Sequence, residues 1–347
     1  YGMGVILAPA LGPVLGGFLV DQFNWRYVMF APAPVTLLGV WMAWRFLPLP
    51  RSQPANYPFD FLGLALLGSL IALTLDTLTR LQELTGQEIR VLVQGMVAVA
   101  LLAAFLVRAR TARYPLIKLD LLRRPVFLFA TLGAMALGLA LFGSTYLIPL
   151  FVQTTLGFSA TEAGLLMLPA GIVLGMTFPL AGRLADRMPA HRLLLLGCIG
   201  FALGMAGLAL SDPATAFVTL ACWIAFGRMA LGVMMPALNI GGLRSLPQSL
   251  THQGSGVINF ARQLGGAFGV NLFALLLEWR VGAHLGSAVD LHRFYDGASA
   301  DAASREALTS GFRETFMVLG MVFVVATAFA AWMGVLHGKL REDPARL

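Results

Sequence analysis

The sequence predicts an all-α polytopic membrane protein, and three observations carry that prediction. Of the 347 residues, 58% are apolar and only 12% charged, with a mean hydropathy of +0.79. A soluble domain is roughly half apolar and about a quarter charged, and charges this sparse cannot cover a soluble globule of this size. The polar residues are also segregated: apolar stretches alternate with short connectors rich in charge and proline. The stretches approach the ~20 residues needed to cross ~30 Å of hydrocarbon. In lipid every backbone polar group must be satisfied within the protein, so these stretches are read as helices.

Ten spans follow in order, near 3–20, 25–47, 59–79, 89–107, 126–152, 161–182, 193–210, 215–238, 256–279 and 313–336. The first holds Gly12, Pro13, Gly16 and Gly17. Glycines at this spacing let another helix backbone approach closely, and Pro13 removes a backbone donor and bends the helix. The second span opens on Asn24-Trp25-Arg26, and the connector from Pro48 to Pro58 leads into the third. That span contains Asp76, the one carboxylate well inside a span. Two readings of Asp76 stay open. It is an interfacial or structural residue near the outer end of its helix, or a proton carrier, since desolvation favours the protonated form of a carboxylate.

The span 126–152 places Tyr146 and Gln153 toward its outer end, with Phe142 and Phe151 nearby. Aromatic and Met-rich interiors suit bulky apolar compounds, often cationic ones, and the chain has 24 Phe and 15 Met. The alternative is that these rings face lipid or pack helices. After 161–182 comes the connector Gly182-Arg183-Leu184-Ala185-Asp186-Arg187-Met188-Pro189-Ala190-His191-Arg192. It is either a loop whose charges only fix orientation or a latch in which Asp186 pairs with arginines. Arg228 lies inside 215–238, and Asn259, Arg262, Gln263 and Asn271 lie inside 256–279. A charge in the hydrocarbon costs about 2.5–3.5 kcal/mol on insertion scales, so such residues face the bundle interior. Arg262 either bonds carbonyls of a neighbouring helix or takes part in gating and coupling. Gly265, Gly266 and Gly269 on the same span favour close packing. A longer polar loop, 280–312, precedes the last span, and a short tail, 338–347, follows it.

Lysine and arginine fix the orientation. With residue 1 in the cytoplasm, fifteen of the 24 fall on the cytoplasmic side, seven on the other, and Arg228 and Arg262 within spans. Positive charge is retained inside, so both ends are expected to be cytoplasmic. Other classes fall away. Cys198 and Cys222 form no CxxC pair, the five histidines show no HExxH spacing, and no nucleotide-binding glycine motif or nucleophile elbow occurs, so no metal site and no enzyme are expected. The net charge of +7 is carried at span ends rather than along one soluble face, which argues against nucleic acid.

Several motifs carry a family resemblance. Gly12-Pro13-Val14-Leu15-Gly16-Gly17 resembles the GPxxGG antiporter motif in the fifth span of major facilitator drug exporters, with Ala8 in place of the usual leading glycine. Asn24-Trp25-Arg26-Tyr27-Val28-Met29-Phe30 resembles the family's (S/N)WRxxF entry to the sixth span, and Pro115-Leu116-Ile117-Lys118-Leu119 its PLxxL connector. Gly164 to Pro169 resembles GLxxxP, and Phe260 to Gly266 resembles FxRxLGG. The connector at 182–192 is similar to the superfamily's GxLaDrxGrr loop, with Pro189 for the usual glycine and Ala190 for a basic residue. Together these resemble the 14-span drug:proton antiporters of the EmrB/QacA type.

The resemblance implies a major facilitator fold. Residues 1–47 would be the last two helices of the first bundle, 59–107 an inserted pair, and 125–337 the second six-helix bundle, with 280–312 extracytoplasmic and 338–347 cytoplasmic. Four further spans would precede residue 1, and with them the principal proton site, so residues 1–347 alone are not expected to transport. The implied function is proton-coupled efflux of drugs or amphipathic small molecules by alternating access. The proton gradient would be the energy source, with no cofactor, in a bacterial inner membrane. The partners would be the lipid bilayer and, in a Gram-negative host, a periplasmic adaptor and an outer-membrane channel. An exporter of one metabolite, siderophore or lipid precursor is an alternative with the same fold. A non-transporting sensor or gene remnant is an alternative of another class.

Overall fold

The computed structural model describes residues 2–47, 58–81, 88–212, 214–286 and 302–342, and among them it contains helices and no strands. The α-helices are α1 (Gly2–Gln22), α2 (Trp25–Phe30), α3 (Pro32–Phe46), α4 (Phe61–Arg80), α5 (Glu88–Thr111), α6 (Pro125–Leu156), α7 (Ala160–Arg187), α8 (Ala190–Ala209), α9 (Phe217–Arg244), α10 (Thr251–Leu285) and α11 (Ala302–Glu342). Nine stretches are long and apolar enough to cross a membrane among the described residues, and α1 covers the remaining expected span.

Local chemistry sets the boundaries. Asn24 caps α2 by accepting from the N–H of Arg26 at 3.1 Å. Ser159 and Glu162 form a reciprocal capping box at the start of α7, at 3.1 and 2.8 Å, which satisfies two otherwise orphaned donors. α6 and α10 end on Gly157 (φ 71°) and Gly286 (φ 68°), left-handed positions that cost glycine nothing.

Two boundaries differ from the sequence reading. The expected span 25–47 is split into α2 and α3 at Ala31–Pro32, because proline has no N–H to continue the hydrogen-bond ladder. The expected loop 280–312 is shorter, since α10 continues to Leu285 and α11 begins at Ala302. Glu314 pairs with Arg280 and lies 3.2 Å from His284. Val281, Leu308 and Phe312 are buried alongside, so the two helices extend as a packed polar-and-apolar pair. Arg51, Arg293 and Arg346, counted in the charge asymmetry, lie outside the described residues.

Helices α6–α11 form a bundle whose core holds Phe127, Phe201, Phe312, Phe316 and Phe323, all essentially inaccessible. Phe151 meets Phe312 edge-on at 5.3 Å, Phe201 meets Phe323 tilted at 4.6 Å, and Phe312 stacks on Phe316 at 6.3 Å between centroids. Glycine sets the closest approaches. A Cβ at Gly138 would strike the carbonyl of Arg262, one at Gly265 the carbonyl of Met135, and one at Gly269 the backbone of Leu139. These three contacts bring α6 and α10 together backbone to backbone. α1 packs along α7, and α4 pairs with α5. α3 buries no residue, α4 only Gly63, and α5 only Phe105 and Ala109.

Candidate functional site

The α1–α7 seam holds the glycine motif. Gly17 lies against the backbone of Ala160 and Thr161, and Gly164 against that of Pro13 and Val14, so that a Cβ on either would overlap the facing chain. At the end of the seam Asp21 accepts from the N–H of Thr161 at 2.7 Å, placing a carboxylate on the first turn of α7, where it meets unpaired N–H groups and the positive end of the helix dipole. A Cβ added at Gly12 or Gly16 would meet nothing within 4 Å among the described residues. Of the motif's three glycines, Gly17 is the one in close contact with α7.

At the opposite end of α7, Asp186 is bonded by Arg244 from the end of α9 at 3.3 Å. The expected carboxylate–arginine contact is thus made by Arg244, a residue that the sequence marks only as a connector charge. Arg187 and Arg192 are exposed beside it, and Gly182 faces open space.

Asp76 is tied into a polar cluster between α4 and α5, held by Arg80 at 2.8 Å and by Gln94 at 2.7 Å. Asn271 of α10 accepts from Thr79 at 3.3 Å, which joins α10 to α4. Arg262 is half-buried and bonds Asn259, one turn back on its own helix; Gln263 is exposed.

Arg228 is the most deeply buried of the described arginines, at 5% exposure. Its guanidinium donates to the carbonyl of Leu141 at 3.1 Å and to Oγ1 of Thr145 at 2.8 Å, both on α6. Thr145 is exposed and itself donates to the Leu141 carbonyl at 2.6 Å. Phe142 is 38% exposed and leans on Gly266. Tyr146 is half-buried within electrostatic range of Glu278. Gln153 donates to the carbonyl of Pro149 at 3.1 Å. None of these three lines the apolar crevice of about 200 Å³ between α6, α8, α9 and α11, whose walls include Phe129, Gly133, Cys198, Met234 and Ala330. No cluster of His, Cys, Asp and Glu able to hold a metal ion occurs among the described residues.

Sequence reasoning missed Asp60. It caps α4 through the N–H of Gly63 at 3.0 Å, pairs with Arg108 of α5 at 3.0 Å, and accepts from the N–H of Leu116 at 3.3 Å. Burial opposes its charge, but the Gly63 N–H, the Arg108 guanidinium and the Leu116 N–H outweigh that and hold the carboxyl below its ordinary value. One buried carboxylate therefore joins both helices of the pair to the connector that leads into α6.

A bundle of apolar helices with close glycine-mediated seams and sparse internal charge is the build of a polytopic membrane protein. The family model described as Major Facilitator Superfamily matches residues 1–270, and the chain belongs to that superfamily. Among curated proteins, it is 30% identical over 285 residues to the Multidrug resistance protein B homolog of Mycobacterium tuberculosis, covering 80% of this chain and 52% of the relative. It is 31% identical over 294 residues to the Multidrug export protein EmrB of Escherichia coli strain K12, covering 82% and 56%. It is 29% identical over 298 residues to the Fatty acid resistance protein FarB of Neisseria gonorrhoeae, covering 82% and 56%. The chain spans about half the length of the curated relatives it matches. Among solved structures, a bacterial homologue of the human lysosomal transporter Spinster, in an inward-facing and occupied conformation, superposes with a TM-score of 0.54 at 15% identity. That match covers 95% of this chain and 67% of the other.

Proposed function

We propose that the protein is a proton-coupled exporter of amphipathic small molecules that works by alternating access. The observation that carries this reading is the pair of polar contacts at opposite ends of α7. Asp21 of α1 meets the first turn of α7, and Asp186 at its far end meets Arg244 of α9. Alternating access needs one end of a helix pair to open while the other closes, and exposed contacts of this kind are weak enough to break and re-form. The relatives named for multidrug export and fatty acid resistance support amphipathic cargo. The Asp21 end would face outward and the Asp186 end the cytoplasm, with both chain ends cytoplasmic in a bacterial inner membrane. The proton gradient supplies the energy and no cofactor takes part. In a Gram-negative host, a periplasmic adaptor and an outer-membrane channel would receive the cargo.

Full-length protein in proteoliposomes tests this directly. Efflux of Nile red, an uncharged amphipathic dye, should appear on imposing a pH gradient and vanish with a protonophore. Nile red movement indifferent to the gradient would remove the proton coupling.

A further inference from the structure

Arg228 sits midway along α9, 5% exposed, and its two hydrogen bonds go to neutral acceptors, the Leu141 carbonyl and the Thr145 hydroxyl. No Asp or Glu occurs anywhere in α6, α8 or α9. Among the described residues no carboxylate pairs with Arg228 or with Arg262. Of the acidic side chains on other helices, Asp76 is bonded to Arg80 and Gln94, Glu314 to Arg280 and His284, Glu162 to the Ser159 N–H and Asp186 to Arg244, while Glu278 of α10 lies within electrostatic range of Tyr146. A guanidinium held in a membrane bundle without a counterion is costly, and such residues mark substrate or ion paths.

The guanidinium is itself buried, but its partner Thr145 reaches the surface. Thr145 is exposed, one helical turn from Leu141 and beside Phe142 and Tyr146, the partly exposed rings of α6. A guanidinium has five N–H donors in a planar fork, of which these bonds use two. The remaining donors match a carboxylate, which takes two parallel bonds, while exposed aromatic faces accept an apolar body.

We propose that Arg228, with Thr145, is the anion-recognising element of a substrate site that selects amphipaths carrying a carboxylate or a comparable oxyanion head. This rests on the exporter reading above and sharpens it: cargo is sorted by the sign of its head group. A cationic amphipath of the same chain length is disfavoured by the same charge.

The test uses full-length protein in phosphatidylcholine nanodiscs and two radiolabelled probes of equal chain length, laurate and dodecyltrimethylammonium. Laurate should bind at least about tenfold more tightly. Arg228→Gln should erase that preference and Arg228→Lys should restore part of it. Equal binding of the two probes by the wild type overturns the proposal. So does an Arg228→Gln variant that weakens both probes alike, which is the outcome of a purely structural role. If loss of preference follows Arg262→Gln and not Arg228→Gln, the assignment is also wrong. Should Arg228→Gln fail to fold, Thr145→Val serves instead: laurate affinity should fall with dodecyltrimethylammonium unchanged, and no change in either overturns the proposal. Binding is read without transport. A protein that binds laurate selectively but moves nothing would refute the exporter and leave the anion site standing.

Discussion

Helices α4 and α8 are equally hydropathic and equal in length, yet α4 buries only Gly63 whereas α8 buries ten residues. Hydropathy therefore decides that a segment enters the membrane and says nothing of what it packs against. In lipid no hydrophobic force drives one apolar helix onto another, so contact depends on shape and on small residues. On α8, Gly197, Gly204 and Gly207 receive Met234, Gly227 and Trp223 of α9 at distances that exclude a Cβ or force its neighbour to move. On α4, α5 and α3, a Cβ at Gly68, Gly95 or Gly39 would meet nothing within 4 Å among the described residues. The bundle is held by glycine-mediated fit. The α4–α5 pair is held by polar side chains at its two ends, Asp60–Arg108 and Asp76–Arg80–Gln94.

The largest expected effect follows from that contrast. Gly265→Leu, whose side chain would enter the Met135 backbone, should destabilise the full-length protein by about 3 kcal/mol or prevent folding. Gly95→Leu on α5, where a Cβ would meet nothing within 4 Å among the described residues, should stay within about 1 kcal/mol of wild type. Thermal unfolding in detergent compares them, and equal losses would break the distinction between the two regions.

Next comes the polar tie. Arg108→Met leaves the buried Asp60 carboxylate without its cation and should cost about 2 kcal/mol at neutral pH. Because folding lowers the Asp60 pKa, its stabilisation is complete above the ordinary carboxylate range and is lost as pH falls through the lowered value. The stability gap between wild type and Asp60→Asn should accordingly close below about pH 4; a gap independent of pH would mean that the charge contributes nothing.

A smaller effect is expected on the α1–α7 seam. Gly17→Leu should reduce transport by about tenfold or more, and Gly16→Leu by less than about twofold. The reverse order would mean that α1 is rotated from the face described. The smallest belongs to Asp186–Arg244, whose side chains are 66% and 65% exposed. Breaking it should change stability by no more than about 1 kcal/mol, and the charge swap Asp186→Arg with Arg244→Asp should recover transport lost in either single variant.

The spans were legible because composition and segregation of charge suffice for them. So was the glycine motif, but a helical period cannot say which of Gly16 and Gly17 meets α7; that depends on how α1 is turned against its neighbour. Asp60 was missed because a carboxylate just ahead of an apolar run reads as an interfacial charge. Its burial needs Arg108 and Leu116, 48 and 56 residues away in sequence. Arg244 was hidden among connector charges for the same reason. Arg228 was visible as a charge inside a span, while its partners on α6, Leu141 and Thr145, belong to no motif.

The most direct test of the account is a cysteine pair at Asp21→Cys and Thr161→Cys, in the full-length protein with Cys198→Ser and Cys222→Ser. If the α1–α7 seam must part at that end during each cycle, oxidative cross-linking should abolish proton-driven Nile red efflux and a reductant should restore it. Undiminished efflux from the cross-linked protein would contradict the account.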